Sequence, residues 1–162
     1  MSLGLYLHIP YCFSKCRYCD FYSAPGQRGV PRAYVDALLR ELSRFAPDAP
    51  LRPDTLYFGG GTPSLLDPAD AARLIAAAQP LPGAEITLEA NPETVTEDSL
   101  RAFREAGVNR ISFGVQSARD SQLKTLGRPH TAKQARAAFA AARRAGFENL
   151  SGDIMLALPH YT

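Results

Sequence analysis

The 162 residues are 46% apolar, enough for one chain to bury a proper core, and read as one soluble domain. A net charge of +2 gives no strong field, so bulk nucleic-acid or membrane-surface binding is not expected, and the densest basic spot is Arg143-Arg144. No run approaches the ~18 apolar residues of a membrane span, and the N-terminus lacks a basic and apolar leader, which with clustered cysteines points to the cytoplasm.

An apolar run from Leu3 to Ile9 predicts a first strand. It leads directly into all three cysteines of the chain, Cys12, Cys16 and Cys19. Their spacing lets one short loop aim three thiolates at one centre. Soft thiolates select zinc, copper(I) or iron–sulfur clusters, and ordinary clusters take four cysteines. Three leave one position open, as catalytic metal sites do. A zinc site completed by His8 or His130 and a redox pair formed by Cys16 and Cys19 are the rival readings.

Ser23 to Gly29 is a flexible connection. A helix follows from Pro31 to Phe45, with Tyr34, Val35, Leu38, Leu39, Leu42 and Phe45 on one face and the proline in its first turn. The segment Ala46 to Pro53, with three prolines, closes the first unit. The second strand, Thr55 to Phe58, runs into Gly59-Gly60-Gly61-Thr62-Pro63. Such a turn allows close backbone approach to a ligand, or is simply tight. It is neither a P-loop nor a dinucleotide fingerprint.

Asp67 caps a helix that starts at Pro68 and runs to Ala78. The third strand is Glu85 to Ala90, with Glu89 near its end, and Asn91-Pro92 stops it. A helix capped by Thr96 runs to Ala106 and ends at Gly107. The fourth strand is Arg110 to Val115, followed by Gln116-Ser117. Next come a short helix, Arg119 to Leu126, and the turn Gly127-Arg128-Pro129-His130. Thr131 caps an alanine-rich helix to Ala145, and the fifth strand runs from Leu150 to Leu158 with Asp153 inside it.

Strands alternating with helices predict a parallel α/β sheet, open or closed into a barrel. Polar or glycine chemistry sits at or near nearly every strand's C-terminal end: the cysteine loop, Gly59 to Thr62, Glu89, Gln116 and, less neatly, Asp153. In a βα barrel that end is the active-site face.

The pattern Cys-x3-Cys-x2-Cys with Tyr18 before the third cysteine resembles the radical S-adenosylmethionine (SAM) superfamily. Tyr6-x-His8-x-Pro10-x-Cys12 and Cys19-Asp20-Phe21 look like its group of oxygen-independent coproporphyrinogen III oxidases and heme chaperones. Glu89 to Pro92, Arg110 to Ser117, Leu126 to His130 and Asp153 to Pro159 resemble that group's motifs in the same order, over essentially the whole chain.

The resemblance implies a partial parallel (βα) barrel of about five units. It also implies a [4Fe-4S] cluster on Cys12, Cys16 and Cys19, whose remaining iron chelates SAM. The reduced cluster would split SAM into methionine and a 5′-deoxyadenosyl radical. Tyr6, Gly60 and Glu89 would line that SAM site, and Tyr18, Gly61, Thr62, Gln116, Arg128 and Asp153 a second one. Heme or a porphyrinogen would be the further ligand, and a heme-accepting protein a partner.

Two residues depart from the expected patterns, one from that of the oxidases and one from that of the whole group. Phe21 stands where oxidases carry a further cysteine, which favours the heme chaperones, and Tyr161 stands where glutamine is usual. Complete barrels take about 250 residues, so these 162 are expected to be the N-terminal portion of a longer chain, with an exposed sheet edge.

Overall fold

The computed structural model describes residues 2–45 and 50–158. Residues 46–49, the first half of the expected Ala46 to Pro53 closure, and the Pro159 to Thr162 end, Tyr161 included, lie outside the described residues. Five parallel strands, β1 (Gly4–Ile9), β2 (Thr55–Gly60), β3 (Glu85–Ala90), β4 (Arg110–Gln116) and β5 (Asn149–Ile154), form one open sheet in sequential order. The helices are α1 (Arg32–Phe45), α2 (Pro68–Ala78), α3 (Glu97–Glu105), α4 (Asp120–Leu126) and α5 (Ala132–Arg144). Short 3₁₀ turns cover Pro63–Leu65 and Pro92–Thr94.

Sequential strand order with crossovers of one hand puts the crossover helices on a single face of the sheet. Accordingly α1 packs on α2, α2 on α3 and α3 on α5. This is the winding of a barrel arc, not of a doubly wound sheet. Because side chains alternate along a strand, each strand is apolar on one side only. Leu7, Ile9, Leu56, Phe58, Leu88 and Phe113 meet Val35, Leu74, Leu100 and Phe103 in the core. The opposite, concave face carries Tyr6, His8, Tyr57, Glu89, Ser112 and Asp153, so the sheet presents its polar residues on the side away from the helices.

Local chemistry explains the helix starts. Asp67 Oδ1 accepts from the Ala69 amide, and Thr96 with Ser99 and Thr131 with Gln134 form reciprocal capping boxes. Pro31 sits just before α1 and its carbonyl accepts from the Tyr34 and Val35 amides. Asn109 clamps two strands: its Oδ1 accepts from the Ile86 amide and its Nδ2 donates to the Ala84 carbonyl.

Two expectations need correction. The fifth strand ends at Ile154 instead of Leu158, because its only pairing among the described residues is to β4, whose last register partner, after a bulge between Gly114 and Gln116, is Gln116. Ala157 then takes a φ of +54°, outside any strand. Phe45 was expected on the apolar face of α1 but is 78% exposed, as the last helical residue beyond the buried Leu42. Among the described residues no helix is long and apolar enough to cross a membrane.

Candidate functional site

The cysteine loop is tied down on both flanks. The Cys12 amide donates to the Ala24 carbonyl at 3.0 Å, the Ala24 amide to the Pro10 carbonyl, and the Gln27 amide to the Cys12 carbonyl. Across the sheet, the Arg17 amide donates to the Leu126 carbonyl at the end of α4. Gly127, at φ +74°, closes α4 there, and a Cβ on it would lie 3.1 Å from Arg17 Cγ. All three cysteines are free, Cys12 buried and the others half-buried, and all line one cavity at the C-terminal ends of the strands.

The glycine turn forms the neighbouring wall, and each glycine has a steric reason. A Cβ on Gly61 would sit 2.9 Å from Cys12 Sγ and 2.8 Å from the Tyr11 carbonyl oxygen. One on Gly60, whose φ is +115°, would lie 2.6 Å from the His8 ring, and one on Gly59 would strike Tyr6. The turn is therefore glycine first of all so that β1 and the cysteine loop can close upon it. Gly60, Gly61 and Thr62 still border the cavity.

Glu89 reaches the same cavity from β3. Its carboxylate accepts from the Tyr57 hydroxyl at 2.8 Å and from the Gly60 amide at 3.2 Å. Burial raises its pKa, Asp153 adds to the rise, and the Tyr57 and Gly60 hydrogen bonds oppose it. A carboxyl that holds its proton more tightly folded than unfolded gives stability fully present below the unfolded pKa and lost as pH rises through the folded one. Glu89→Gln is expected to remove that loss, since its amide can face the Tyr57 oxygen while its carbonyl keeps the Gly60 amide. Urea midpoints between about pH 4 and about pH 7 should fall less steeply in the variant than in the parent.

Tyr6 is the one expected residue that does not border this cavity. Its ring stacks on Tyr57 at 6.1 Å, and its hydroxyl meets His8 Nδ1 at 3.1 Å. His8 Nε2 faces the Tyr22 carbonyl, which only accepts, so Nε2 carries the proton and Nδ1 accepts from Tyr6.

Arg128 enters from the turn after α4 and is largely buried. Nη1 donates to Cys16 Sγ at 3.3 Å, and Nη2 to Asn91 Oδ1 at 2.6 Å and to the Gly114 carbonyl at 2.7 Å. Burial pulls its pKa down, but Cys16, Tyr18 and Glu93 outweigh that and hold the guanidinium more firmly protonated than usual. Tyr18 is pushed up to about 12, first by burial, while Arg128 pulls it back and Cys16 and Cys19 add to the rise. Gln116 sits at the β4 bulge with φ +63°, a backbone strain for a residue with a side chain, and borders the cavity. Asp153 does so from β5 and accepts from the Ser112 hydroxyl at 3.4 Å.

Three participants were not singled out from the sequence. Tyr57 and Ser112 lie on the concave face, and Asn91 joins Thr62 Oγ1, to which its Nδ2 donates at 3.2 Å, to Arg128. Asn91 follows Glu89 by two residues, the one signal that could have marked it. His130 has a structural role: it is 2% exposed, with Nδ1 on Glu93 at 3.1 Å and Nε2 on the Val115 carbonyl. Removing the ring leaves the Glu93 carboxyl and the Val115 carbonyl without this partner, and stranding buried polar groups in that way costs about 3 kcal/mol. His130→Ala is expected to lose about that much in a chemical unfolding titration.

Both histidines proposed as a fourth zinc ligand thus have both ring nitrogens engaged elsewhere. Nor do any three His, Cys, Asp or Glu side chains among the described residues converge closely enough for one ion.

The sequence profile of the Radical SAM superfamily matches residues 6–162. Over 163 residues the chain is 45% identical to the heme chaperone HemW of Escherichia coli K12, covering 97% of this chain and 43% of that protein. It is 41% identical to the mitochondrial radical S-adenosyl methionine domain-containing protein 1 of Bos taurus, covering 96% of this chain and 36% of that one. The solved structure of the E. coli coproporphyrinogen III oxidase HemN, a radical SAM enzyme, superposes with a TM-score of 0.88 at 32% identity, covering 99% of this chain and 38% of that chain. The chain spans less than half the length of each of these proteins.

Proposed function

We propose that this chain, which belongs to the radical SAM superfamily, binds a [4Fe-4S] cluster and S-adenosylmethionine and serves as a heme chaperone, passing heme to an accepting protein. Cys12, Cys16 and Cys19 would hold three irons. The donor set fits: three free thiols border one cavity, the sequence has no fourth cysteine, and the single-ion geometry of a zinc site is absent among the described residues. The wall fits as well, since Gly61 lets the glycine turn close upon Cys12 Sγ, so that turn and cysteine loop border the same cavity. When bound, the cluster and SAM supply one-electron chemistry.

The chain's own residues would position SAM against that centre. Glu89, fixed by Tyr57 and the Gly60 amide, offers a carboxylate to an ammonium group. Gly60, Gly61 and Thr62 offer a tight wall, and Tyr18, Gln116, Arg128 and Asp153 complete the polar lining, where a second SAM would lie. Tyr6 would act through Tyr57, on which it stacks. One core domain over residues 1–162 and a reducing compartment, the cytoplasm, belong to the same reading.

The observation that carries the chaperone over the oxidase is Phe21. It borders the cavity, 69% exposed, where the oxidase pattern has a further cysteine, and it offers no ligating atom. The 45% identity to HemW points the same way, while the TM-score of 0.88 against HemN favours the oxidase as the second reading. The test is to reconstitute the protein anaerobically and supply SAM, reductant and either coproporphyrinogen III or heme. Unchanged porphyrinogen together with heme transfer to a heme-depleted acceptor is expected. Loss of two carboxyl groups per porphyrinogen would contradict it.

A further inference from the structure

We propose that Asn91 is a positioning residue, which clamps the Arg128 guanidinium onto the Cys16 sulfur and thereby sets the reduction potential of the cluster; this rests on the cluster reading above. A chain of four side chains carries the inference. Thr62 Oγ1 accepts from Asn91 Nδ2 at 3.2 Å, Asn91 Oδ1 accepts from Arg128 Nη2 at 2.6 Å, and Arg128 Nη1 donates to Cys16 Sγ at 3.3 Å. The glycine turn is thus joined to a cysteine sulfur through one amide.

Three features show that the guanidinium is held for its place and not for its own comfort. Nη2 spends its hydrogens on two protein oxygens, those of Asn91 and Gly114. Nε is buried with no partner, a cost that the fold bears to keep Nη1 on the sulfur. Gly114 supplies the space: a Cβ there would lie 3.0 Å from Asn91 Oδ1 and 3.1 Å from Arg128 Nη2. With its terminal nitrogens so committed, Arg128 is better placed to serve the cysteine sulfur than to embrace a carboxylate in the bidentate manner.

The consequence is electrostatic. An N–H donated to a cluster sulfur, and a cation beside it, favour the more negative, reduced state and raise the reduction potential. Arg128 without Asn91 keeps its charge and its Gly114 contact but loses one of the two oxygens that together fix its plane. The potential should then fall while the three thiolates still hold the cluster.

The test compares parent, Asn91→Ala and the isosteric Thr62→Val, with Thr62→Ser as the conservative control. Each is reconstituted with iron and sulfide and titrated under spectroscopic control of potential. Expected are equal iron and sulfide contents, a shift to lower potential in Asn91→Ala, a smaller shift in the same direction in Thr62→Val, and none in Thr62→Ser. Equal potentials in parent and Asn91→Ala at equal cluster content would overturn the proposal, and Thr62→Val decides it if Asn91→Ala does not fold. A parent that takes up no cluster would end the cluster reading and the statement about potential with it. The clamp is then judged separately on the cluster-free protein by nitrogen-15 arginine NMR: slow guanidinium rotation of Arg128 in the parent and fast rotation in Asn91→Ala uphold it, and identical rotation refutes it.

Discussion

Cys16→Ser is expected to fold nearly as stably as the parent and yet to lose almost all cluster iron after anaerobic reconstitution. Its sulfur is half-buried, so the oxygen that replaces it meets no dense core, and the Arg128 N–H that now reaches Sγ can donate to a hydroxyl instead. Stability should move by less than about 1 kcal/mol. Iron should drop from about four per chain to well below one, because a serine oxygen is a poor match for a centre that soft thiolates select. Cys12→Ser is the harsher change for the fold, since Cys12 is 7% exposed and lies beneath Gly61. Iron analysis and urea unfolding on the same samples separate the two effects. Retention of parent-level iron by Cys16→Ser would remove that cysteine from the ligand set.

Gly60→Ala is expected to damage fold and site together. The backbone at Gly60 has φ +115°, which residues with a Cβ rarely adopt, and the new methyl would lie 2.6 Å from a carbon of the His8 ring. That ring cannot easily move aside, because Tyr6 holds one nitrogen and the Tyr22 carbonyl the other. Strain and overpacking together should cost about 3 kcal/mol. The displacement would pass through Tyr22 into the cysteine loop and through the Gly60 amide to Glu89. Removing the obstacle in Gly60→Ala/His8→Ala should recover the steric share and leave the conformational one. Thermal unfolding of the four proteins of that cycle measures both. Strict additivity would mean that His8 does not set the cost.

The parts of the molecule legible in the sequence were those decided by neighbours along the chain. Asp67, Thr96 and Thr131 announced their helices because a cap is a local hydrogen bond. The alternation of Ile86, Leu88 and Ala90 with Thr87 and Glu89 announced a strand with one polar face. What depended on distant partners was hidden. The end of β5 is set by where β4 stops after its bulge, and nothing in Met155 to Leu158 itself shows that.

The glycine turn shows the same limit within the site. Its position beside the cysteine loop followed from strand order, but its steric cause, the His8 ring and Cys12 sulfur of another segment, needed the packed structure. The roles of Tyr57 and Asn91 stay hidden in the sequence because they lie in bonds between distant segments, Tyr57 to Glu89 and Asn91 to Arg128, separated by 32 and 37 residues. The ring nitrogens of His130, open to a zinc reading in the sequence, turned out to be spent on Glu93 and Val115.

The central claim is that Cys12, Cys16 and Cys19 hold a cluster with one iron left for SAM. Its most direct test is electron paramagnetic resonance of the reduced, anaerobically reconstituted protein before and after SAM is added, with iron, zinc and acid-labile sulfide counted on the same sample. The account predicts about four irons and four sulfides per chain and a signal that changes when SAM binds. One zinc per chain without sulfide, or a cluster signal indifferent to SAM, would contradict it.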